Sequence, residues 1–470
     1  MNNFFLLARQ ELAITVIIFI LLFIKVGTKE WSNNALLHLI NGLLLVNFLF
    51  GFFFYEDGIL FNQMFRTGRL LVMEKNILNL GVLVISMQAY DWLKQHKHVA
   101  EFYVLLLSTL LGMFFMISAG NLLMFYLGLE LSSIPLAAIA NFDLEKRQSS
   151  EAAMKFIISS AFSSGLLLFG ISMVYGTTGT LVFSEIPQYL TGNPLQLFAL
   201  VLLVAGFAFK ISVVPFHLWT ADVYEGSPVA VTAYLSVISK GAAVFVFVAV
   251  LYTILKPLAA AWYNIIFLLS VLTMITGNLF ALRQSNFKRL LAFSSIAQAG
   301  FILVGISGGS QAGMASVIYF ILVYVFSNLG AFGVVAVVTA LTGKEDTASY
   351  KGFYKANPFL AWVMAISLFS LAGIPPAAGF FGKFFLLIAG AGKGNYVLIV
   401  VAALNMIISL YYYLKIVKIM FIDRSDYEPV AKLPLHIYPR LALLICMAGV
   451  LVLGMVSGVY EYIYSLSLSL

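Results

Sequence analysis

The 470-residue sequence has little charge and almost no cysteine. Only 10% of its residues are charged. The single cysteine, Cys446, excludes a disulfide within the chain and any cysteine cluster that would bind a metal. The five histidines are spread too widely to suggest a haem or metal site. The chain also lacks a GxGxxG motif opening a βαβ unit, a P-loop, a CxxC pair and an HExxH motif. We therefore expect no redox centre, metal site or nucleotide site in this chain.

Apolar residues dominate the sequence instead. They make up 62% of the chain, whose mean hydropathy is +0.99. Runs of roughly 18 or more apolar residues recur along the whole length, as membrane-spanning helices require. We count about 14 spans by hydropathy. Their approximate starts are Phe4, Ala35, Leu70, Val99, Asn121, Ala152, Leu195, Pro228, Trp262, Leu290, Met314, Pro358, Tyr396 and Arg440. No soluble domain fits between them, so the sequence predicts an all-α polytopic membrane protein with a single membrane domain over residues 1–470.

Basic residues lie mostly in the loops that follow odd-numbered spans, among them Lys146, Lys288 and Lys355. The positive-inside rule places these loops in the cytoplasm, and an even number of spans then puts both termini outside. Because the basic residues are scattered among short loops, the net charge of +7 does not indicate a nucleic-acid partner.

The loop after the seventh span is an exception to this pattern. It carries Asp222 and Glu225 and no basic residue, which indicates a functional role for the two carboxylates. In the alternative interpretation they would only cap the eighth helix. That helix starts at Ser227 and Pro228 with the usual signals of a serine and a proline in the first turn.

The stretch from Gly206 to Pro228, GFAFKISVVPFHLWTADVYEGSP, departs most from a plain apolar span. Lys210 has apolar neighbours on both sides, and an ammonium group in hydrocarbon usually faces a bundle interior or a water-filled path. Pro215 lacks an N–H and breaks the helix, and His217 follows at once. A broken helix at membrane depth is tolerated only where neighbours or water satisfy the freed backbone groups. The two features together predict an ion pathway.

An internal repeat is visible between two segments, Ala152–Gly179 and Ser316–Gly343. At a constant offset the matched pairs are Phe156 and Phe320, Phe162 and Phe326, Ser163 and Ser327, and Gly179 and Gly343. The two segments are five spans apart, so they would be inverted in the membrane.

The span that follows each of these segments supports the repeat. The first holds Lys210 and Pro215, and the second holds Pro375, Pro376 and Lys383 in SLAGIPPAAGFFGKFFLL. Broken helices at corresponding places in duplicated halves usually indicate the site of a transporter. The match is imperfect, since one lysine precedes its proline and the other follows its prolines.

Four ionisable residues lie within predicted spans: Glu130, Lys210, Lys240 and Lys383. A Glu130–Lys210 pair that forms and breaks would switch the proton affinity of the lysine. The three lysines in series, with water and His217 between them, would form a relay with coupled titrations.

Structural interpretations of the same residues stay open at this point. Lys155 and Lys75 lie nearer span ends, where a lysine usually extends to the interface. Glu130 could form a static ion pair, and His217 could simply bond a backbone carbonyl.

Three segments of the chain carry a family resemblance. The string FKISVVPFHLWTADVYEGSPVAVTAYLSVISKGAA resembles the antiporter-like subunits of respiratory complex I, which are related to Mrp antiporters. Within that family, VYEGSP resembles the N subunits of bacterial NADH–quinone oxidoreductases. The segments FKRLLAFSSIAQAGF and GIPPAAGFFGKF fit the same subunits, and Lys383 stands where the M subunits are expected to have glutamate. The resemblance covers nearly the whole chain from about the third span.

The resemblance implies a fold of about 14 transmembrane helices with two inverted five-helix repeats, each holding a discontinuous helix. Residues 1–98 would form helices 1–3, and residues 99–256 the first repeat with helices 4–8. Residues 257–422 would form the second repeat with helices 9–13, and residues 423–470 the C-terminal helix.

The resemblance also implies roles for single residues. Glu130, Lys210, Lys240 and Lys383 match the proton-channel residues of the family, and His217 matches a relay position. Lys155, Asp222 and Glu225 are expected to support them, and Pro215, Pro375 and Pro376 to break the helices.

Two positions depart from the family pattern. Ala221 stands where the family usually has proline, and Gln298 stands where it often has histidine. The second departure puts in doubt a titratable relay group between the two halves.

The function implied by the resemblance is proton translocation by a membrane subunit of an NADH:quinone oxidoreductase, in a bacterial inner membrane with periplasmic termini. The chain would be part of an enzyme without holding a cofactor. NADH, FMN, iron–sulfur clusters and quinone would react in partner subunits, and the chain would contact other membrane subunits and the lipid bilayer. Two alternatives remain, a subunit of a multi-subunit cation/proton antiporter that moves sodium, and a passive structural subunit.

Overall fold

The computed structural model describes residues 4–27, 31–53, 57–423 and 431–467, and these residues are mostly helical. Helices are expected here because a backbone in lipid must satisfy its own hydrogen bonds. The first five helices are α1 Phe4–Leu7, α2 Arg9–Val26, α3 Asn33–Phe50, α4 Arg69–Gln88 and α5 Tyr90–Leu93. Between α3 and α4 the strands β1 Gly58–Leu60 and β2 Phe65–Thr67 pair antiparallel.

The middle of the chain contains the first interrupted helix. Its helices are α6 Val99–Ile117, α7 Leu122–Ala140, α8 Arg147–Thr178, α9 Ile186–Tyr189, α10 Pro194–Lys210, α11 Leu218–Gly226, α12 Val229–Tyr234 and α13 Lys240–Ala249. Two π-helical turns, Leu235–Ser239 and Val250–Ile254, flank α13, and a 3₁₀ turn, Lys256–Leu258, follows them.

The last part of the chain contains the second interrupted helix. Its helices are α14 Ala259–Ala281, α15 Phe287–Ser307, α16 Gln311–Thr342, α17 Phe353–Ala356, α18 Pro358–Ala372, α19 Ala378–Ala391, α20 Tyr396–Phe421, α21 Ile437–Met455 and α22 Gly458–Leu466. A 3₁₀ turn, Thr347–Tyr350, lies between α16 and α17.

Eleven helical segments in the described part of the chain are long and apolar enough to cross a membrane. Shorter apolar helices, α10, α18 and α19, border the two interruptions. The predicted all-α polytopic architecture is therefore confirmed. Each predicted span coincides with a helix, but the count of about 14 crossings remains a prediction. The first and last residues of the chain, 1–3 and 468–470, lie outside the described residues, so the predicted placement of the termini also remains a prediction.

Each of the two interruptions contains proline and a residue with positive φ. Helix α10 ends at Lys210 and α11 begins at Leu218, so Pro215 lies in the gap, where Ser212 has a φ of 62°. Helix α18 is followed by Gly373, whose φ of 87° ends the helix in the left-handed region. Pro375 and Pro376 come next, before α19 begins.

The long helices α8 and α16 precede the two interruptions and correspond closely. Each has 32 residues and ends at a left-handed glycine, Gly179 or Gly343. Their starts, Arg147 and Gln311, differ by the same offset that matches Phe156 with Phe320 in the sequence. The correspondence supports a repeat, whose boundaries remain a prediction.

The centre of the bundle is formed by α15 and α16, whose most apolar windows are 100% and 94% buried. In α3, α14, α20 and α21 only 33% of the corresponding window is buried. Their exposed side chains are largely apolar, as a lipid-facing surface requires. The central helices are therefore the ones that can hold polar groups away from lipid.

Candidate functional site

Lys210 is the last residue of α10 and lies at the first helix interruption, partly buried. Its Nζ donates hydrogen bonds to Ser133 Oγ at 2.6 Å and to Ser160 Oγ at 3.0 Å. Ser133 lies on α7, one turn after Glu130, and Ser160 lies on α8. The ammonium is thus held by hydroxyl groups from two other helices.

Glu130 does not form the direct ion pair with Lys210 that the sequence suggested, because no such pair within 4.0 Å occurs among the described residues. Its Oε1 is buried and has no hydrogen-bond partner there. A serine hydroxyl can both accept and donate. Ser133 accepts from Lys210 and donates to the Leu129 carbonyl at 2.6 Å, and no hydrogen bond joins it to Glu130 in the described chain.

His217 lies at the start of α11, inside the interruption, and forms no hydrogen bond with the three lysines in the described chain. Its Nδ1 is buried without a protein partner, and so are the hydroxyl oxygens of Ser212, Thr220 and Tyr224. Buried polar atoms of this kind are normally satisfied by ordered water. The interruption and α11 thus form a segment that can be hydrated.

Lys240 is 2% exposed and follows directly on the π-helical turn Leu235–Ser239. Such turns often occur at functional sites. Its Nζ donates to Ser295 Oγ at 2.5 Å and to the Ser295 carbonyl at 3.2 Å. Ser236, from the π-helical turn itself, lies 3.3 Å from Ser295 and receives a hydrogen bond from Asn328 at 2.6 Å. The Lys240 ammonium is therefore surrounded by neutral polar groups.

Lys383 is 1% exposed and lies in α19, five residues after the start of the helix that follows the second interruption. Its Nζ donates to the carbonyl oxygens of Leu371 at 2.7 Å and Ala372 at 3.3 Å, and lies 4.7 Å from the centre of the Phe301 ring. These carbonyls belong to the C-terminal end of α18, where they lack intrahelical partners and the helix dipole favours a cation.

A chain of hydrogen bonds extends from the neighbourhood of Lys240 towards Lys383. Ser294, next to Ser295 on α15, bonds Tyr413 OH at 2.5 Å. Gln298 Nε2 donates to Tyr413 OH at 3.2 Å and to the Leu371 carbonyl at 3.0 Å. Lys383 bonds the same carbonyl, so Gln298 and Tyr413 fill the position between the halves. Sequence reasoning missed Tyr413, for which the only signal was a tyrosine run inside an apolar span.

Asp222 and Glu225 form a network of ion pairs on α11, where both side chains are partly exposed. Asp222 lies 2.6 Å from Lys155 Nζ and 2.8 Å from Arg289, and Arg289 lies 2.7 Å from Glu225. Lys155 also pairs with Glu151 at 2.8 Å. The network joins α11 to α8 and α15. The capping alternative is wrong, because the first residues of α12 receive no side-chain cap.

A cavity of about 210 Å³ lies beside this network. Its lining includes Glu225, Ser227, Lys288 and Glu345. Lys288 pairs with Glu345 at 2.9 Å and donates to the Ser227 carbonyl at 3.2 Å. Polar groups thus continue from the ion-pair network to the start of α12.

The expectation that Lys75 extends to the membrane interface is wrong. Its side chain is 1% exposed and pairs with Glu11 at 2.5 Å. Extension to the interface needs a helix face in contact with lipid, whereas 89% of the apolar window of α4 is buried.

Among the described residues there is no group of three or more histidine, cysteine, aspartate or glutamate side chains that could hold a metal ion.

Comparison with protein families places these residues in a known module. Residues 119–409, which include Glu130 and the three central lysines, match the family model described as NADH:quinone oxidoreductase/Mrp antiporter, transmembrane. The NADH-quinone oxidoreductase subunit N of Phocaeicola vulgatus is 47% identical over 96% of this chain and 95% of its own length. The subunit N of Azobacteroides pseudotrichonymphae is 44% identical over 99% of this chain and 98% of its own length.

Solved structures give the same picture. A chain of respiratory complex I from Thermus thermophilus is 27% identical, with a TM-score of 0.80, over 96% of this chain and 97% of that chain. A chain of the Mrp complex from Dietzia sp. has a TM-score of 0.83 over 98% of this chain and 96% of that chain, and at 20% identity it shows the fold alone. The predicted family resemblance is therefore confirmed: the chain belongs to the NADH:quinone oxidoreductase/Mrp antiporter family of membrane proteins and, within it, to the subunit N family.

Proposed function

We propose that this chain is the proton-translocating membrane subunit of an NADH:quinone oxidoreductase and that its buried lysines carry the protons. The relatives at 47% and 44% identity are named as subunit N of that enzyme. The reactions of NADH, FMN, iron–sulfur clusters and quinone belong to partner subunits, and other membrane subunits of the complex are the neighbours of this chain. It lies in the inner membrane of a bacterium with both termini on the periplasmic side.

One observation carries the proposal: the three central lysines bond only neutral oxygen atoms. Lys210 bonds two serine hydroxyls, Lys240 bonds Ser295, and Lys383 bonds two carbonyls. No carboxylate lies within 4.0 Å of these lysines in the described residues, whereas Lys75 and Lys288 are paired with glutamates. A buried ammonium without a counter-charge is poorly stabilised, so these lysines can release and regain protons.

In the first half, Glu130 regulates Lys210 through the charge of its carboxylate. When the carboxylate is charged, its field stabilises the ammonium of Lys210. When the carboxylate is neutralised or draws away, the ammonium loses this support and gives up its proton to the hydrated segment at the interruption, where His217 lies. One proton leaves Lys210 in each such event.

Lys240, which connects the two halves, receives the proton, and Lys383 in the second half passes it on. The hydroxyls of Ser294 and Tyr413 supply steps between them, because a hydroxyl can accept one proton while donating its own, and water completes the path to the two lysines. Gln298 cannot titrate and acts by positioning Tyr413. The Lys155, Asp222 and Glu225 network holds α11 in place at the entrance.

The test is NADH-driven proton pumping in membranes that carry Lys210→Ala, with assembly followed on native gels. We expect an assembled complex in which pumping and coupled quinone reduction collapse. Lys256→Ala, at an exposed lysine, is the control and should pump normally. Wild-type pumping in Lys210→Ala would show that the lysine is structural. Sodium transport without NADH and quinone would favour the antiporter alternative.

A further inference from the structure

A second buried charge pair lies in the N-terminal helices, outside residues 119–409 that match the family model. Lys75 of α4 lies 2.5 Å from Glu11 Oε1 of α2, and the two residues are 1% and 3% exposed. Ser118, at the end of α6, donates to the same carboxylate oxygen at 3.2 Å. The rings of Phe65 and Phe114 lie 5.5 Å and 5.9 Å from Lys75 Nζ. The pair is thus enclosed by three helices and the β-hairpin.

Other charged side chains lie near the pair, at the membrane face where α2 and α4 begin. Glu74 is 5% exposed, and Arg9 is 6% exposed with its guanidinium 5.5 Å from the Phe50 ring. Arg66 lies on β2 of the hairpin. Arg69, the first residue of α4, and Asp57, which lies against Gly68, are further charged residues at this face. Protonation of Glu11 would remove the negative charge that is bonded to Lys75, which favours loss of a proton from the lysine.

Further polar side chains follow Lys75 along one face of α4. Asn79 lies one turn after Lys75 on the same face and accepts a hydrogen bond from Asn47 of α3 at 2.8 Å. Two turns further on the same face, Ser86 donates to Asn41 Oδ1 at 3.0 Å. Polar groups therefore occur along most of the length of α4.

One apolar residue interrupts this polar face. Val82, which is fully buried, lies between Asn79 and Ser86. At 1.5 Å per residue the two polar residues are roughly 10 Å apart along the helix. An apolar constriction between polar segments can close a water-filled path. Val82 therefore separates two parts of this polar face. The upper part, nearer the start of α4, runs from Glu11 to Asn79, and the lower part contains Ser86.

Several polar atoms of the upper part have no protein partner in the described chain. They are Gln10 Oε1, Glu11 Oε2, Asn47 Oδ1, Asn76 Oδ1 and Asn79 Nδ2, all on side chains less than 9% exposed. Side chains that only join helices normally have their hydrogen bonds satisfied by one another. Glu11 Oε2 belongs to the pair itself, and Asn79, one turn away along α4, and its partner Asn47 have free capacity for water or a hydrated proton.

We propose that Glu11 and Lys75 form a second proton-exchange site, which communicates with the membrane face where α2 and α4 begin and is closed towards the opposite face by Val82. A proton from that face binds the Glu11 carboxylate and ends its attraction for Lys75. The ammonium, now without its counter-charge, gives its proton to water at Asn79, and this proton moves past Val82 towards Ser86 when water enters the constriction. The proton on Glu11 then passes to the neutral Lys75 amine and restores the pair, so one proton enters the site and one leaves it. The inference rests on the proposed function, because its readout is the number of protons pumped per NADH.

The first test replaces the pair by apolar residues of similar size, in Glu11→Leu/Lys75→Met. Such replacements of buried ion pairs are often tolerated. We expect normal assembly and NADH:quinone electron transfer with a loss of protons pumped per NADH. The matched control is Lys25→Met/Glu101→Leu. This pair joins α2 and α6 at the opposite face, with a distance of 2.8 Å and side chains 52% and 36% exposed. Wild-type proton yield in the first variant would overturn the proposal.

If the double variant does not assemble, Glu11→Gln keeps the size and hydrogen bonding of the side chain but cannot take up a proton. It is expected to lower the proton yield, and a wild-type yield would overturn the proposal. A third measurement needs no variant. A hydrophobic carbodiimide, which modifies protonated carboxyl groups, should label Glu11 in the wild-type complex during turnover, and absence of label there would contradict the proposal.

Lys210→Ala in the same assay separates the two claims. Collapse of pumping in Lys210→Ala together with a wild-type yield in Glu11→Gln means that the second site is wrong and the proposed function stands. Wild-type pumping in Lys210→Ala means that the proposed function itself is wrong.

Discussion

The two helix interruptions hold their lysines in different ways. Lys210 reaches out from the end of α10 to Ser133 and Ser160, hydroxyl groups on two other helices. Lys383 reaches back to carbonyl oxygens at the end of α18, the other half of its own interrupted helix. The first lysine is therefore held by groups that can exchange protons, and the second by groups that can only accept a hydrogen bond.

This difference indicates different tasks for the two halves. The support of Lys210 changes when Glu130 or a serine changes, so its proton affinity can be switched. The support of Lys383 comes from the backbone of a rigid helix end and stays constant. In the proposed path a proton reaches Lys383 from the side of Tyr413, and this makes the path between the halves the sensitive step.

The largest expected effect comes from Lys210→Arg and Lys383→Arg, compared side by side. Arginine keeps the positive charge but cannot be deprotonated in proteins. We expect proton pumping by either variant to fall by roughly tenfold or more, since a proton-transfer group is lost. The measurement is the initial rate of NADH-driven acidification, normalised to assembled complex. Normal pumping in Lys210→Arg alone would sharpen the comparison, because Lys210 would then act only as a fixed charge.

A smaller effect is expected from Ser133→Ala/Ser160→Ala, which removes both hydroxyl partners of Lys210. Each lost hydrogen bond to a charged group costs about 1–3 kcal/mol, and pumping should fall severalfold while electron transfer is less affected. Ser163→Ala is the control. Ser163 lies on α8, as Ser160 does, but its hydroxyl bonds the Gly206 carbonyl and not Lys210. Equal behaviour of control and double variant would break the proposed link between Lys210 and its hydroxyls.

Tyr413→Phe tests the path between the halves. It removes the hydroxyl that bonds Ser294 and Gln298 and keeps the ring, so we expect slower pumping with unchanged assembly. Tyr412→Phe removes the neighbouring hydroxyl, which bonds Asn278 at 3.1 Å, and serves as the control. The two variants are compared by protons pumped per NADH, and the same loss in both would argue against a specific role for Tyr413.

The smallest effect is expected from Arg289→Gln at the ion-pair network. Asp222 and Glu225 would lose a partner, but the network is partly exposed, and exposed pairs contribute about 0–1 kcal/mol each. We expect a slightly lower melting temperature, with pumping close to wild type and a difference that shrinks at high salt. A large loss of pumping would instead make the network part of the proton path.

Much of the architecture follows from local sequence signals. Apolar runs predicted the spans, prolines predicted the interruptions, and lysines in apolar surroundings predicted the central residues. A signal of this kind depends only on neighbours in the chain, so its structural consequence is the same whatever the tertiary packing. Pro215 removes a hydrogen bond in any context, and Lys210 is costly in hydrocarbon wherever its helix lies.

The partners of these residues could not be predicted, because they depend on packing between distant helices. Lys75 near a span end was expected to extend to the interface, and no local signal marks Glu11 as its partner. Tyr413 becomes a candidate only because α20 brings it against α15. The hydrogen bond from Lys210 to Ser133 of α7 likewise joins distant parts of the chain and has no local signal.

The central claim is that protons pass through buried lysines, and Lys240 tests it most directly because it connects the two halves. The measurement is protons pumped per NADH in Lys240→Met, a variant that fits the buried site without a titratable group. The account predicts an assembled complex that pumps few or no protons. A wild-type ratio of protons to NADH in an assembled Lys240→Met complex would contradict the account.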